Sequence, residues 1–127
     1  KECVLMSKIL LGIRGAITID INDPDKIVEG AQELLSDMIK LNNIVTDDIV
    51  SIFFSTTKDL NAEYPAVAAR NIGLVNVALM CTHEMDVPNG LEKCVRILLH
   101  VNADQGYNNI KHVYLKGAKS LRPDLAD

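Results

Sequence analysis

The chain has 127 residues and a formal charge of −4, the balance of thirteen Lys and Arg against seventeen Asp and Glu. Its length fits one domain, and hydrophobic residues make up 48% of it, which is enough for a real core and excludes disorder for most of the chain. An acidic chain with no Trp also lacks the basic stripe and the stacking aromatics of a nucleic-acid-binding surface.

Membrane and redox features favour one compartment. No apolar run approaches the roughly 20 residues of a membrane span or forms the core of a signal peptide, so we expect no membrane partner. The cysteines, Cys3, Cys81 and Cys94, are widely spaced and predict neither a disulfide framework nor a zinc site. A reducing, cytoplasmic location is expected. We interpret residues 1–127 as a single domain, with residues 1–6 as a leader or extension and residues 117–127 as a C-terminal tail.

The first half of the chain predicts a strand, a helix and a second strand. Residues 8–19 and 49–55 are apolar and predict the strands. Asp23 and Pro24 are typical of the N-cap and first position of a helix. That helix ends before Asn42-Asn43 and carries one apolar stripe: Ile27, Val28, Ala31, Leu34, Leu35, Met38 and Ile39.

The second half predicts a short helix and three strands. Pro65 opens a helix over residues 66–72, which Gly73 ends. The strands, separated by turns at residues 88–90 and 106–110, are residues 75–81, 93–102 and 112–115. The predicted fold is α/β (an α+β sandwich), with a single mixed β-sheet and two main helices on one face.

The fourth predicted strand is apolar on both faces. Alternation places Val95, Ile97, Leu99 and Val101 on one face and Cys94, Arg96, Leu98 and His100 on the other. Because the helices cover only one face of the sheet, the second face needs another partner. A homo-oligomer is predicted, and the alternative is a curled sheet that buries its own second face.

Arg96 is the informative polar residue, because an unpaired guanidinium within an apolar strand is costly. It pairs either with a carboxylate of the protein or with a ligand anion. Glu84, which follows the third strand, is a candidate partner for Arg96 or Arg14, and otherwise a surface acid or an anchor for a ligand hydroxyl. Cys81 and His83 share a strand face but have no second ligand cluster, so no metal site is predicted.

Four segments, in order, resemble the AroH-class monofunctional chorismate mutases. The resemblance extends from Ile9 to Leu125. The segments are residues 12–18 (GIRGAIT), residues 59–66 (DLNAEYPA) with Arg70 after them, residues 84–96 (EMDV continuing to GLEKCVR), and HVYL at 112–115 with LRPDL at 121–125. The chain departs from the family at Val67, where a lysine is frequent, and at Tyr64, where Phe is common.

The resemblance implies an isomerase that converts chorismate to prephenate on the route to Phe and Tyr. It also implies a homotrimer that forms a pseudo-α/β barrel with active sites at the subunit clefts. The reaction is a pericyclic Claisen rearrangement within one molecule, for which no cofactor is expected. The enzyme must hold the substrate in a compact conformation and stabilise negative charge that develops on the ether oxygen.

The same resemblance assigns the catalytic roles. Arg96 would act on the ether oxygen, Arg14 on a substrate carboxylate and Glu84 on the ring hydroxyl. The other substrate-binding residues it implies are Tyr64 and Ala66 from the neighbouring subunit, Arg70, Met80, Cys81, Thr82, His83, Tyr114 and Leu121. Arg70, Leu121 and Arg122 are expected at the mouth of the site rather than in the chemical step.

Three other interpretations of these residues stay open. One is an imine deaminase of the RidA type, which has a similar trimeric architecture and binds a carboxylate with an arginine. Another is a non-catalytic trimeric binding protein for an aromatic-pathway acid. A third, a nucleophilic pair of Cys81 with His100 or His112, has no local signature in its favour, and a thiol in an apolar strand is usually inert.

Overall fold

The computed structural model describes residues 8–104 and 109–125, which form one five-stranded sheet covered by helices on one face. The strand order is β3-β2-β4-β1-β5. The elements are β1 (Lys8–Thr18), α1 (Pro24–Leu41), β2 (Ile49–Thr56), α2 (Val67–Asn71), β3 (Ala78–His83), β4 (Cys94–Asp104) and β5 (Val113–Leu115), with 3₁₀ segments at Thr46–Asp48 and Lys116–Leu121.

The sheet is mixed, as predicted. Strand β4 is antiparallel to both β1 and β2, whereas the edge strands β5 and β3 run parallel to their neighbours. The predicted sequence of strands and helices is confirmed. So are the Asp23 N-cap, whose carboxylate accepts from the N–H groups of Asp25 and Lys26, and Gly73 after α2, which has a left-handed φ of 90°.

The core lies between the sheet and α1. Leu34, Leu35 and Met38 of α1 are fully buried, and so are Ile52 and Leu99 on the inner face of the sheet. Helix α2 adds the buried Ala68 and Ala69 to the same core. Helix α1 approaches β1 closely at Gly15, where an added Cβ would lie 2.6 Å from the Met38 sulfur. Because α1 occupies the space that a side chain would need, glycine fits at position 15.

The outer face of the sheet stays largely open in the single chain. Four of its large apolar side chains are exposed, Leu10 by 59%, Phe53 by 43%, Met80 by 55% and Leu98 by 36%. Among residues 8–104 and 109–125, the cover on this face is at one end, where the Lys116–Leu121 segment packs Ala118 against a small cluster with Ala16, Cys94 and Tyr114. The sheet therefore does not curl to bury its own second face, and that alternative is wrong.

The predicted bounds of the third and fourth strands are wrong at both ends. Each strand starts later than predicted and ends two residues later, at His83 and Asp104. The third strand begins at Ala78 rather than residue 75, because Ala78 is the first residue that pairs with β2, at Ser51. Strand β4 begins at Cys94 because Lys93 has a left-handed φ of 47°. The Asp59 carboxylate holds the Lys93 N–H at 3.0 and 3.1 Å.

Parts of the sequence-based prediction lie outside the described residues, namely the leader at residues 1–6 and most of the turn at residues 106–110. The 3₁₀ segment at the start of the predicted tail was not predicted. Within residues 8–104 and 109–125, none of the helices is long and apolar enough to cross a bilayer.

Candidate active site

The register of the sheet aligns one residue from each of the five strands in a row across its outer face, and four of the five are polar. Each member is paired with the next through the backbone ladders. From β3 to β5 the row is Thr82, Ser55, Arg96, Ala16 and Tyr114. The adjacent row, two residues along each strand, is Met80, Phe53, Leu98 and Arg14. Since neighbouring strands lie about 4.8 Å apart, Arg14, Arg96 and Tyr114 are brought within reach of one small molecule.

A cavity of about 420 Å³ lies over these rows, and we call it the sheet-face cavity. The polar groups around it are Arg14, Arg96, Arg122, Glu84 and Tyr114. Its apolar floor includes Phe53 and Leu98, and Leu121 also lines it. A volume of this size suits a small organic ligand, and three guanidinium groups around it favour an anionic one.

Arg96 is held by a carboxylate of the same chain. Its Nε lies 3.1 Å from Oε2 of Glu84, with both side chains partly exposed. Glu84 is itself positioned directly after β3, because its backbone N–H donates to the Thr56 carbonyl at 2.7 Å. The structure therefore shows that Arg96 and Glu84 are paired with each other. The pair fixes the direction of the guanidinium at the edge of the cavity.

Two further groups face the cavity without a partner of their own. In the described part of the chain, the Arg14 guanidinium has no carboxylate within 4.0 Å, and the buried Tyr114 hydroxyl has no hydrogen bond. Arg122 is different, since its Nε and Nη2 bind Asp124 at 3.1 and 2.8 Å. Hydrogen bonds from Arg122 hold the pKa of Asp124 below its usual range. Arg14 and Tyr114 are therefore available to a ligand.

A second cavity, of about 580 Å³, lies at the β3 edge of the sheet, and we call it the edge cavity. It is lined by Tyr64, Cys81, His83 and Thr82, the last of which also lines the sheet-face cavity. Burial raises the pKa of the Cys81 thiol, while a hydrogen bond from the Ala66 backbone and the charge of Arg70 act in the opposite direction. Cys81 is therefore a neutral thiol near pH 7.

The predicted site residues thus separate into two groups within one chain. Arg14, Thr82, Glu84, Arg96, Tyr114 and Leu121 line the sheet-face cavity. Tyr64, Cys81 and His83 line the edge cavity with Thr82, and Ala66 and Arg70 lie beside Cys81. Met80 is exposed in the adjacent row on the outer face. Within the single chain these two groups line different cavities that share Thr82.

Arg122, which the resemblance places at the mouth of the site, lines the sheet-face cavity. Sequence reasoning misses Ser55, which also lines this cavity. Its position two residues after Phe53 on the same strand predicts that it faces outward as Phe53 does. The hypothetical pair of Cys81 with His112 is wrong, because β3 and β5 are opposite edges of the sheet. His100 instead contacts the Ser51 hydroxyl at 3.2 Å.

Comparison with known proteins identifies the family of the chain. The model of the family "Chorismate mutase type I" matches residues 10–125. The chain is 40% identical to chorismate mutase AroH of Thermus thermophilus over 115 residues, covering 90% of this chain and 94% of the relative. It is also 40% identical to chorismate mutase AroH of Bacillus subtilis (strain 168), covering 91% of each.

A solved structure supports the same assignment. A chorismate mutase from Clostridium thermocellum superposes with a TM-score of 0.84 at 53% identity, over 87% of this chain and 98% of that one. These matches favour neither the imine deaminase nor the binding protein. With a family model that spans nearly all of its sequence and relatives that align over most of theirs, the chain belongs to the type I chorismate mutases, the isomerases that convert chorismate to prephenate.

Proposed function

We propose that this chain rearranges chorismate in the sheet-face cavity, by restraint of the substrate and by arginine charge. The observation that carries the proposal is the group of three guanidiniums and one tyrosine hydroxyl around a single cavity. Chorismate is a dianion, whereas the chain is net negative. A focused positive site is therefore required to capture it.

Arg14 and Tyr114 are the groups that would bind substrate carboxylates, since among the described residues no carboxylate lies within 4.0 Å of the Arg14 guanidinium and the Tyr114 hydroxyl makes no hydrogen bond. A guanidinium matches a carboxylate with two parallel N–H donors. If Arg14 and Tyr114 both bind one substrate molecule, they hold its reacting ends close together. Binding energy then favours the near-attack geometry. Arg122 adds positive charge at the same cavity but is neutralised in part by Asp124.

Arg96 is the group that would act on the transition state. In the rearrangement a C–O bond breaks while a C–C bond forms, and partial negative charge develops on the ether oxygen. A guanidinium that Glu84 has already oriented stabilises this charge without reorganising during the reaction. Glu84 keeps lone pairs that can accept the ring hydroxyl of the substrate. This role is consistent with its place beside Arg96 at the cavity.

We propose further that the complete site forms between subunits of a homotrimer. The exposed Leu10, Phe53, Met80 and Leu98 supply an apolar surface for association. The sheet-face and edge cavities of one chain share only Thr82. In a cyclic trimer each subunit presents one surface to the next and receives a different one. That arrangement can close the edge-cavity residues of one subunit, such as the 70% exposed Tyr64, over the sheet-face cavity of its neighbour.

A cytoplasmic location belongs to the same proposal. The two described cysteines, Cys81 and Cys94, are both free. Free cysteines are typical of a reducing compartment, which supports the assignment.

The experiment is to follow chorismate loss and prephenate formation with the purified chain in the presence of EDTA. We expect turnover by wild type, and Arg96→Ala should lower kcat by about 10²–10³-fold. Lys26→Ala, which removes an exposed cation on α1, is the control and should retain activity. A folded Arg96→Ala variant with kcat within about tenfold of wild type would contradict the role of Arg96.

Light scattering on the same sample tests the assembly. We expect a mass of three times 14.0 kDa. A folded trimer that binds prephenate and converts no chorismate would point to a binding protein, and imine substrates would then be screened. An active monomer would refute the shared site.

A further inference from the structure

The segment that precedes β5 contacts β1 through a side chain. The β1–β5 ladder begins with the pair Gly15 and Val113. One residue earlier, the backbone N–H of Arg14 donates to Nδ1 of His112 at 3.0 Å. Because Nδ1 accepts this hydrogen bond, the imidazole is neutral and carries its proton on Nε2. The ring of His112 thus holds the backbone of the arginine that faces the cavity.

The opposite side of this segment is anchored to the end of α1. The buried Asn42 amide accepts from the Lys111 N–H at 2.7 Å and donates to the Lys111 carbonyl at 2.9 Å. It also donates to the Met38 carbonyl at 2.9 Å. Because Lys111 is anchored to Asn42, the backbone next to His112 is held in place, and the His112 ring is positioned to accept from β1.

The charges around His112 oppose its protonation. From β1 it faces Arg14, and from the C-terminal turn it faces Arg122 with its partner Asp124. At the end of α1, the neutral Asn42 amide binds the backbone of the adjacent Lys111, and the segment of His112 also carries the side chains of Lys111 and Tyr114. Burial, followed by the charges of Arg14 and Arg122, lowers the pKa of His112 from its usual 6.5.

We propose that His112 is a positioning residue for Arg14, and that only its neutral imidazole can hold Arg14 against the substrate. Protonation removes the acceptor from the Arg14 N–H and adds a cation beside two guanidiniums. The direction of the Arg14 side chain depends on the conformation of its backbone. A shift of that backbone would therefore move the guanidinium that lines the cavity. This inference rests on the proposed function, since Arg14 matters through the carboxylate it binds.

The first test is the pH profile of kcat/KM from about pH 5 to pH 8, the range in which histidines titrate. This ratio reports ionisations of the free enzyme and free substrate. For wild type we expect kcat/KM to fall on the acid side. His112→Asn keeps an acceptor near the Nδ1 position but cannot be protonated in this range, so its profile should lose this fall.

Two other variants separate positioning from general damage. His112→Ala lacks the acceptor, so its kcat/KM should be about two- to tenfold below that of wild type at pH 8, with most of the change in KM, and should approach the wild-type value on the acid side. His100→Asn removes a different histidine of the same sheet and should keep the acid fall. A His112→Asn variant with the wild-type acid fall would overturn the proposal.

The second test does not depend on turnover. In an NMR titration, the amide shift of Arg14 should follow protonation of the His112 ring in wild type and should show no such step in His112→Asn. An Arg14 amide that ignores the His112 titration would refute the link between the two residues. If wild type converts no chorismate, the proposed function fails while this titration still decides the role of His112.

Discussion

Gly15 is the position at which one added methyl group should separate β1 from α1. The methyl of Gly15→Ala would lie 2.6 Å from the Met38 sulfur, 3.0 Å from Leu34 Cδ1 and 3.1 Å from the Val113 carbonyl oxygen. Non-bonded carbon atoms prefer about 3.5–4.0 Å, so the overlap reaches about 1 Å. Met38 and Leu34 are fully buried, and neither can swing out to solvent.

Overpacking of this kind costs about 1–3 kcal/mol, against a gain of about 0.4–1 kcal/mol from the stiffer unfolded chain. The expected net loss is about 1–2 kcal/mol of unfolding free energy, which corresponds to a Tm lower by about 4–8 °C. Thermal unfolding followed by circular dichroism, at one protein concentration for all variants, measures it.

Gly12→Ala is the matched control on the same strand. Its methyl would meet only Leu98 and His100 side chains, at 3.7 and 3.9 Å, which is ordinary contact. We expect its Tm to equal or exceed that of wild type. A Gly15→Ala variant as stable as wild type, or a Gly12→Ala variant equally destabilised, would refute the steric reasoning.

Two further predictions concern stability. Asp59→Ala should lower the free energy of unfolding, measured by urea titration, by about 1–3 kcal/mol, because the Lys93 N–H loses its acceptor. Asp59→Asn keeps an acceptor and should lose less stability. Equal losses in the two variants would argue against the hydrogen bond. The pKa of His112 is lower in the folded chain than its usual 6.5, so the unfolded chain takes up this proton first as pH falls. Stability should therefore decline as pH drops from about 6.5 to the folded pKa. Free energies of unfolding from urea titrations, plotted against pH for wild type and His112→Asn, should converge at low pH and so differ in slope. Parallel plots would contradict the prediction.

The order of elements could be predicted from the sequence because its signals are local. The α1 stripe has a helical period, Asp23 and Gly73 mark helix ends, and β4 alternates between two faces. Each of these depends on residues within a turn or two of one another. The need of Arg96 for an anionic partner was also predictable, because an unpaired guanidinium in an apolar strand is costly; whether that partner is a protein carboxylate or a ligand anion was left open by the sequence.

The composition of the cavity depends on contacts that are distant in sequence. Arg14, Arg96 and Tyr114 share a surface only because of the register in which β1 pairs with β4 and β5, and no local pattern specifies that register. Arg122 reaches the cavity because Ala118 buries itself beside Tyr114. The resemblance to a known family suggested several of these roles and placed Arg122 at the mouth of the site.

The alternation along β2 and β4 has a practical consequence for protein engineering. Successive residues of these strands alternate between the two faces, so most pocket positions differ from the core positions, although Ile97 contributes to both and the outward Cys94 is buried. Ser55, for example, lines the cavity while its neighbours Phe54 and Thr56 are buried. A mutant library confined to outward positions can change the shape and charge of the pocket while leaving the buried contacts of its strands intact. The sheet is thus a ready scaffold for binding other small dianions.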